Sequence, residues 1–336
     1  MGNALPMTEY INKRLLSFPL RTVASILSPA GKSARLSIAI YHRVQEEDDE
    51  LIGVSANAPV FDLQVEYFSK YFNVLPLHEA VQRLQDGTLP SRAACITFDD
   101  GYADNEEIAL PILQKHGVSA TFFVATGFIN GGIMWNDVVI EWMRRVPVDS
   151  LDLTKMDLGK HVIYTLSQRR EVLHSLINTL KYLPFEARKQ RIEQLCSLIP
   201  VSLPDNLMMT SEQVVDLHSA GMGIGAHTVN HPILARLTNE AVYSEIAECK
   251  ETLEQMINAP VRLFAYPNGK PGQDYLPDHI EIIKSLGFDA ACTTAWGAAK
   301  NGCDLYQLPR YMPWVSDYLK LMLHMSRNMV RKVDVV

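Results

Sequence analysis

Short, almost wholly apolar runs alternate with amphipathic stretches along much of the chain. "LSIAIYHRV" (36–44), "RAACITFDDG" (92–101), "VSATFFVATGF" (118–128), "MGIGAHT" (222–228), "VRLFAYPNG" (261–269) and "FDAACTT" (288–294) read as strands buried on both faces. Between them, "FDLQVEYFSKYF" (61–72), "YADNEEIALPILQKHG" (102–117), "TSEQVVDLHSAG" (210–221), "TNEAVYSEIAECKETLEQMIN" (238–258) and "IEIIKSLG" (280–287) repeat their apolar positions with helical spacing. Gly117 and Gly221 close two of these helices, and Thr210 or Ser211 opens one. Strand–helix alternation predicts an α/β chain with a mainly parallel sheet or barrel. The rhythm breaks over 130–208, where "SQRREVLHSLINTLKYLPFEARKQRIEQLCSLI" is mostly helical. That segment reads as an insertion between two barrel units, not as a separate domain. Residues 1–35 read as a helical extension, 36–315 as the barrel and 316–336 as a C-terminal amphipathic helix.

With 47% hydrophobic residues, the 336-residue chain can build a large core. Its net charge of -7, with no basic patch, argues against nucleic-acid binding. Cys95, Cys196, Cys249, Cys292 and Cys303 are odd in number and never in C-x-x-C spacing, so neither a disulfide framework nor a thiolate zinc site is expected. No apolar run approaches the ~20 residues that span a bilayer. Lys13, Arg14 and Arg21 interrupt the N-terminal apolar stretches, which therefore do not read as a signal peptide. The expectation is a cytoplasmic protein, with peripheral contact at the inner face of the membrane left open.

Polar residues at strand ends carry the candidate chemistry, because barrel sites form where strands give way to loops. They are His42, the adjacent pair Asp99 and Asp100, His227 and His231, then Tyr266, Pro267 and Asn268, and finally Arg310. Two adjacent carboxylates at the end of a buried strand repel and resist desolvation, so something must compensate them. His227 and His231 in "GAHTVNHP" have the spacing that puts two imidazoles on one face of a helical turn. With one carboxylate they make a two-His, one-carboxylate metal site with an open position. The second aspartate is then free to act as a base. Helix capping would account for one aspartate but not for both together with the glycine.

"TFDDG", "HTVNH", "FAYPNG" and "LPR", in this order, resemble the polysaccharide deacetylases of carbohydrate esterase family 4. The resemblance runs from about Ser37 to Arg310, outside the insertion. It implies a distorted (β/α)7-type barrel with a helical insertion, and removal of N-acetyl or O-acetyl groups from sugars with one divalent metal, Zn2+ or alternatively Co2+ or Ni2+. It further implies Asp99 as general base, Asp100, His227 and His231 as metal ligands, and the backbone N–H of Asn268 in the oxyanion hole. Ala265 stands where the family has an arginine that orients the base, and Arg310 is the candidate to replace it.

Two histidines compete as general acid. "LMLH", ending at His324, matches the family's final motif as a string but lies in a helical, basic stretch. His42 ends a strand at the front of the chain, as in the circularly permuted branch associated with exported glycans. His42 is preferred. Tyr102, Trp135, Tyr266, Trp296 and Trp314, with Pro267, are candidate sugar contacts, each weighed against a packing role. Besides an N-acetylated glycan, the alternatives are a lipid-linked amino sugar, a non-sugar amide, or a degenerate glycan-binding protein.

Overall fold

The structure is a computed structural model that describes residues 21–336 apart from 54, 55, 314 and 316. The first 20 residues of the N-terminal extension and Trp314 thus lie outside the described residues. Residues 21–27 are helical. The main sheet contains β1 (Arg35–Tyr41), β2 (Asn73–Val74), β3 (Ala93–Phe98), β4 (Thr121–Val124), β5 (Gly223–Ala226), β6 (Leu263–Ala265), β7 (Ala290–Cys292) and β8 (Ala299–Lys300). Its order is β7-β6-β5-β4-β3-β1-β8, with β2 paired to β3 at the start of that strand. All pairs are parallel except β1 with β8.

A short segment closes the sheet into a barrel. Leu308 bridges Cys292 of β7 and Tyr311 bridges Ala39 of β1, both in parallel. The backbone bonds Leu308 N–H to Ala291 O and Tyr311 N–H to Ile38 O, at 2.9 and 2.8 Å, seal both seams. Six parallel strands plus Leu308–Tyr311 therefore form the wall, in keeping with the (β/α)7-type expectation. β1, first in the chain, lies between the Asp-Asp strand and this closing segment, which is the order of the permuted branch.

The helices are α1 (Ala58–Tyr71), α2 (Leu77–Asp86), α3 (Leu110–Lys115), α4 (Trp135–Arg145), α5 (Leu166–Lys181), α6 (Phe185–Leu198), α7 (Ser211–Ser219), α8 (Asn239–Ile257), α9 (Pro277–Ser285) and α10 (Tyr318–Val330). Thr210 caps α7 in a reciprocal capping box with Gln213. The helix expected from Tyr102 starts later than its pattern suggests: Asn105–Ala109 form a π-helical turn before α3.

Every residue of β3 is buried, as expected of a parallel strand covered on both faces. Alternation still sorts its side chains. Ala94, Ile96 and Phe98 join the large core beneath the helices, while Ala93 and Cys95 pack with Phe123, Ala265, Cys292 and Leu308. By the same two-residue period, Thr97 and Asp99 continue the second row. The 130–208 insertion contains α4 to α6 and an antiparallel pair, Ser150–Asp152 with Lys160–Val162, around its own apolar cluster centred on Trp142. α10 buries Leu321, Met322, Met325 and Met329 in the large core. Among the described residues, no helix is long and apolar enough to cross a membrane.

Candidate active site

Asp99 and Arg310 form the most deeply buried ion pair of the barrel mouth. Arg310 is fully buried, and its Nη1 and Nη2 donate to Asp99 Oδ1 and Oδ2, both at 2.7 Å. Its Nε donates to Thr293 O at 2.8 Å, so the guanidinium cannot swing. Burial pushes the Asp99 carboxyl up, but the Arg310 charge, helped by His227, holds it below the usual carboxylate range. The result is an ionised, oriented carboxylate. The arginine comes from the closing segment and not from the position that Ala265 occupies.

The backbone at Asp100 is left-handed, with φ 78°, and the carboxylates of Asp99 and Asp100 both approach His227 Nε2, at 3.9 and 3.4 Å. Gly101 follows at φ 91°, and a Cβ there would meet Val124 Cγ1 at 3.0 Å, so glycine suits both the turn and the packing. Asp100 Oδ1 is buried and has no hydrogen-bond partner in the described structure. Facing it are His227 Nε2 at 3.4 Å and His231 Nε2 at 3.3 Å. One ligand atom from each of the three residues lies within 4.8 Å of the others. Leaving a carboxylate oxygen in this state is costly unless a cation sits among the three groups. The donor set, one hard oxygen and two imidazole nitrogens, suits a divalent ion such as zinc. The residues present therefore fit the metal that the sequence implies.

The two histidines reach this arrangement by a route the spacing did not suggest. They lie in an irregular turn after β5, not on a helix, with Thr228 and His231 at φ 67° and 50°. Glu245 of α8 holds that turn. Its carboxylate accepts from the Val229 and Asn230 N–H groups at 3.0 and 2.8 Å and from Asn230 Nδ2 at 2.8 Å. His227 Nδ1 donates to Ala265 O at 2.7 Å, which leaves Nε2 for the carboxylates. Burial lowers the pKa of His231 to about 4, so the ring is neutral and can offer a nitrogen lone pair. His227 moves upward: burial opposes protonation, but Asp99 and Asp100 outweigh it. Glu245 gave no signal in the sequence beyond being one of several acidic residues on α8.

His42 is exposed just beyond β1, close enough to act on Asp99 and Asp100, behind burial and Arg310 for the first and burial and His231 for the second. Asn268 is at φ 59° after β6, with its carbonyl accepting from Thr294 Oγ1 at 2.6 Å. His324 lies on α10, half-buried. The aromatic candidates divide. Tyr266 is fully buried, stacks on Tyr275 at 3.9 Å and donates to Tyr306 O, so it is a core residue and not a sugar platform. Tyr102 is likewise buried, with its ring beneath Arg43 at 4.8 Å and its hydroxyl donating to Asp137 Oδ2 at 2.9 Å. Pro267 is buried. Trp135 is half-buried, with Arg188 over its ring at 4.9 Å. Trp296 remains 36% exposed, although Arg331 of the C-terminal segment lies 5.3 Å from its ring centre.

Comparison with known proteins bears on the fold and the family. The family model described as polysaccharide deacetylase matches residues 86–291. YxkH of Bacillus subtilis (strain 168), which carries a polysaccharide deacetylase description, is 22% identical over 283 residues, or 83% of this chain and 71% of its own. Among solved structures, the deacetylase PplD of Streptococcus pyogenes, in complex with acetate, aligns with a TM-score of 0.59 at 21% identity, covering 89% of this chain and 99% of that one. IcaB from Ammonifex degensii aligns at 0.55 with 17% identity, covering 89% and 97%. The family match spans well over half of the chain and includes the aspartate pair and both histidines, and the chain belongs to the polysaccharide deacetylase family, carbohydrate esterase family 4.

Proposed function

We propose that this protein removes N-acetyl groups from an amino-sugar glycan with the help of one divalent metal ion, zinc in the first place, held by Asp100, His227 and His231. One observation carries the reading: the unpartnered, buried Asp100 Oδ1 facing two imidazole Nε2 atoms, beside an Asp99 pinned by Arg310. A divalent ion held by these three residues would supply Lewis-acid chemistry to the amide carbonyl and to a nearby water. Asp99, ionised and fixed by Arg310, accepts a proton from the attacking water. The backbone N–H of Asn268 donates to the carbonyl oxygen as it gains negative charge. His42 delivers a proton to the nitrogen as the C–N bond breaks. Water thereby supplies hydroxyl to the acetyl carbon, and acetate and a free amino sugar leave. Of the candidate aromatics among the described residues, Trp296 is the most exposed and so the best placed to meet a sugar ring.

Arg310, paired with Asp99, stands in for the family arginine that Ala265 replaces, which speaks against a degenerate glycan-binding protein. Acetate release from N-acetylglucosamine oligomers by the zinc-loaded protein tests the reading. Asp99→Asn should cut turnover about 10²–10⁴-fold with metal content intact, and Asp100→Asn should lose the metal. Tight zinc binding without acetate release from any N-acetylated glycan would sink it.

A further inference from the structure

We propose that Asp104 and Asn105 are positioning residues for the general acid, clamping the backbone around His42 so that its imidazole stands opposite Asp99. This rests on the reading of His42 as the acid. His42 is exposed, so packing does not fix its position. Hydrogen bonds from one dipeptide do. Asn105 Nδ2 donates to His42 O at 2.8 Å. Arg43 Nε donates to Asp104 Oδ2 at 2.7 Å, and Val44 N–H donates to Asp104 Oδ1 at 3.1 Å. Three consecutive residues are thus held from residues 104 and 105, and Asn105 Nδ2 also joins the pair internally through Asp104 Oδ1 at 3.1 Å.

The clamp belongs to the same stretch as the metal ligand and the base. Asp104 and Asn105 follow Asp100 by only a few residues, and Tyr102 between them supports Arg43 through its ring. One loop therefore sets the base and the acid relative to each other. Asn105 also opens the π-helical turn Asn105–Ala109, an irregularity often found at functional sites. A fold-only role explains Asn105 poorly. Its side chain is fully buried, only the donor end is used, and Oδ1 has no hydrogen-bond partner in the described structure. An apolar residue would fill that space without desolvating an amide oxygen. The residue is suited to supply an N–H to the His42 carbonyl.

The test separates positioning from folding by leaving group. An amino sugar needs a proton to depart, whereas 4-nitrophenolate does not. In the zinc-loaded full chain, Asn105→Leu should lower kcat/KM for an N-acetylglucosamine oligomer about 10²-fold, the effect of a small misplacement. Hydrolysis of 4-nitrophenyl acetate should fall less than about tenfold, because no proton is delivered to its leaving group. Zinc stoichiometry and Tm should stay close to those of the parent. Asp104→Asn should shift the oligomer-to-ester ratio in the same direction, and it carries the test should Asn105→Leu fail to fold. In a His42→Ala background the Asn105 substitution should add little, as for residues acting through one group. Equal losses on both substrates, an unchanged ratio, or full additivity with His42→Ala would overturn the clamp. If His42→Ala itself leaves the ratio unchanged, the acid assignment falls and the clamp with it. If His42→Ala shifts the ratio and neither clamp variant does, the clamp alone is wrong.

Discussion

Arg310 shows how much a single residue settles at this site. A buried carboxylate is expensive unless it is paired, and a bidentate guanidinium is the best available partner. Arg310→Met should therefore cost about 3–5 kcal/mol, because it strands a buried charge. Chemical denaturation measures that loss, and a cost below that of an ordinary surface change would show that the pair is not what holds Asp99. Arg310→Lys cannot rebuild the fork and should recover only part of the stability. Asp137 is the opposite case. Burial raises its pKa to about 6, against the pull of the Tyr102 hydroxyl and Arg43. Its folded-state pKa lies above the unfolded value, so the folded state binds the extra proton between about pH 4 and 6. Stability from this group is fully present below that window and lost as pH rises through it, by up to about 3 kcal/mol. Asp137→Asn should accordingly stabilise the protein above pH 6 and flatten the profile below it, as read from urea midpoints across pH. A profile unchanged by the substitution would contradict this account of Asp137.

At the scale of elements, the orientation of His227 and His231 depends on a helix that carries neither. α8 presents Glu245 to the turn that carries them, satisfying two backbone N–H groups that no regular ladder engages. Glu245→Ala should weaken zinc binding about 10–100-fold, the usual consequence of losing a group that orients a ligand. Competition with a chromophoric chelator reads this directly, and affinity equal to the parent's would show that the turn holds itself. The π-helical turn after β3 works in a similar way. It is a local departure from regular structure that places Asn105 below β1. The insertion touches the same region through the Tyr102–Asp137 hydrogen bond and through Leu207 O, which accepts from the Ala103 N–H at 2.9 Å. α10 buries Leu321, Met322, Met325 and Met329 in the large core, while Asn328 Nδ2 donates to Gly297 O at 2.7 Å.

For the whole molecule, the site is a product of barrel closure. The proposed base, metal ligands and acid come from the end of β3, the turn after β5 and the end of β1, and Arg310 arrives on the segment that seals β7 to β1. A metal bound there, as proposed, would tie these strands together in the folded state alone. Free zinc at 100 times its Kd should add about 2.7 kcal/mol of stability, lost on chelation. A thermal melt with and without chelator checks this. Asp99→Asn should retain the metal-dependent shift and Asp100→Asn should lose it, and a shift retained by Asp100→Asn would remove Asp100 from the ligand set. What the sequence determined by itself was the cast of residues. Strands buried on both faces must be apolar, so the polar residues at their ends, His42, Asp99, Asp100, His227, His231 and Asn268, stand out without any fold. The two-residue period also puts Asp99 in the row of Cys95. Pairing was decided by tertiary structure. The Arg310–Asp99 fork joins residues 211 apart and the Arg43–Asp104 bond residues 61 apart, and no local pattern records such separations. The same holds for the turn that orients His227 and His231. Its spacing suggested a helix, but positive φ angles and a carboxylate from α8 make it something else. Local propensity is weak where a loop's backbone groups are satisfied by a distant element, so there the geometry follows from which strands lie side by side.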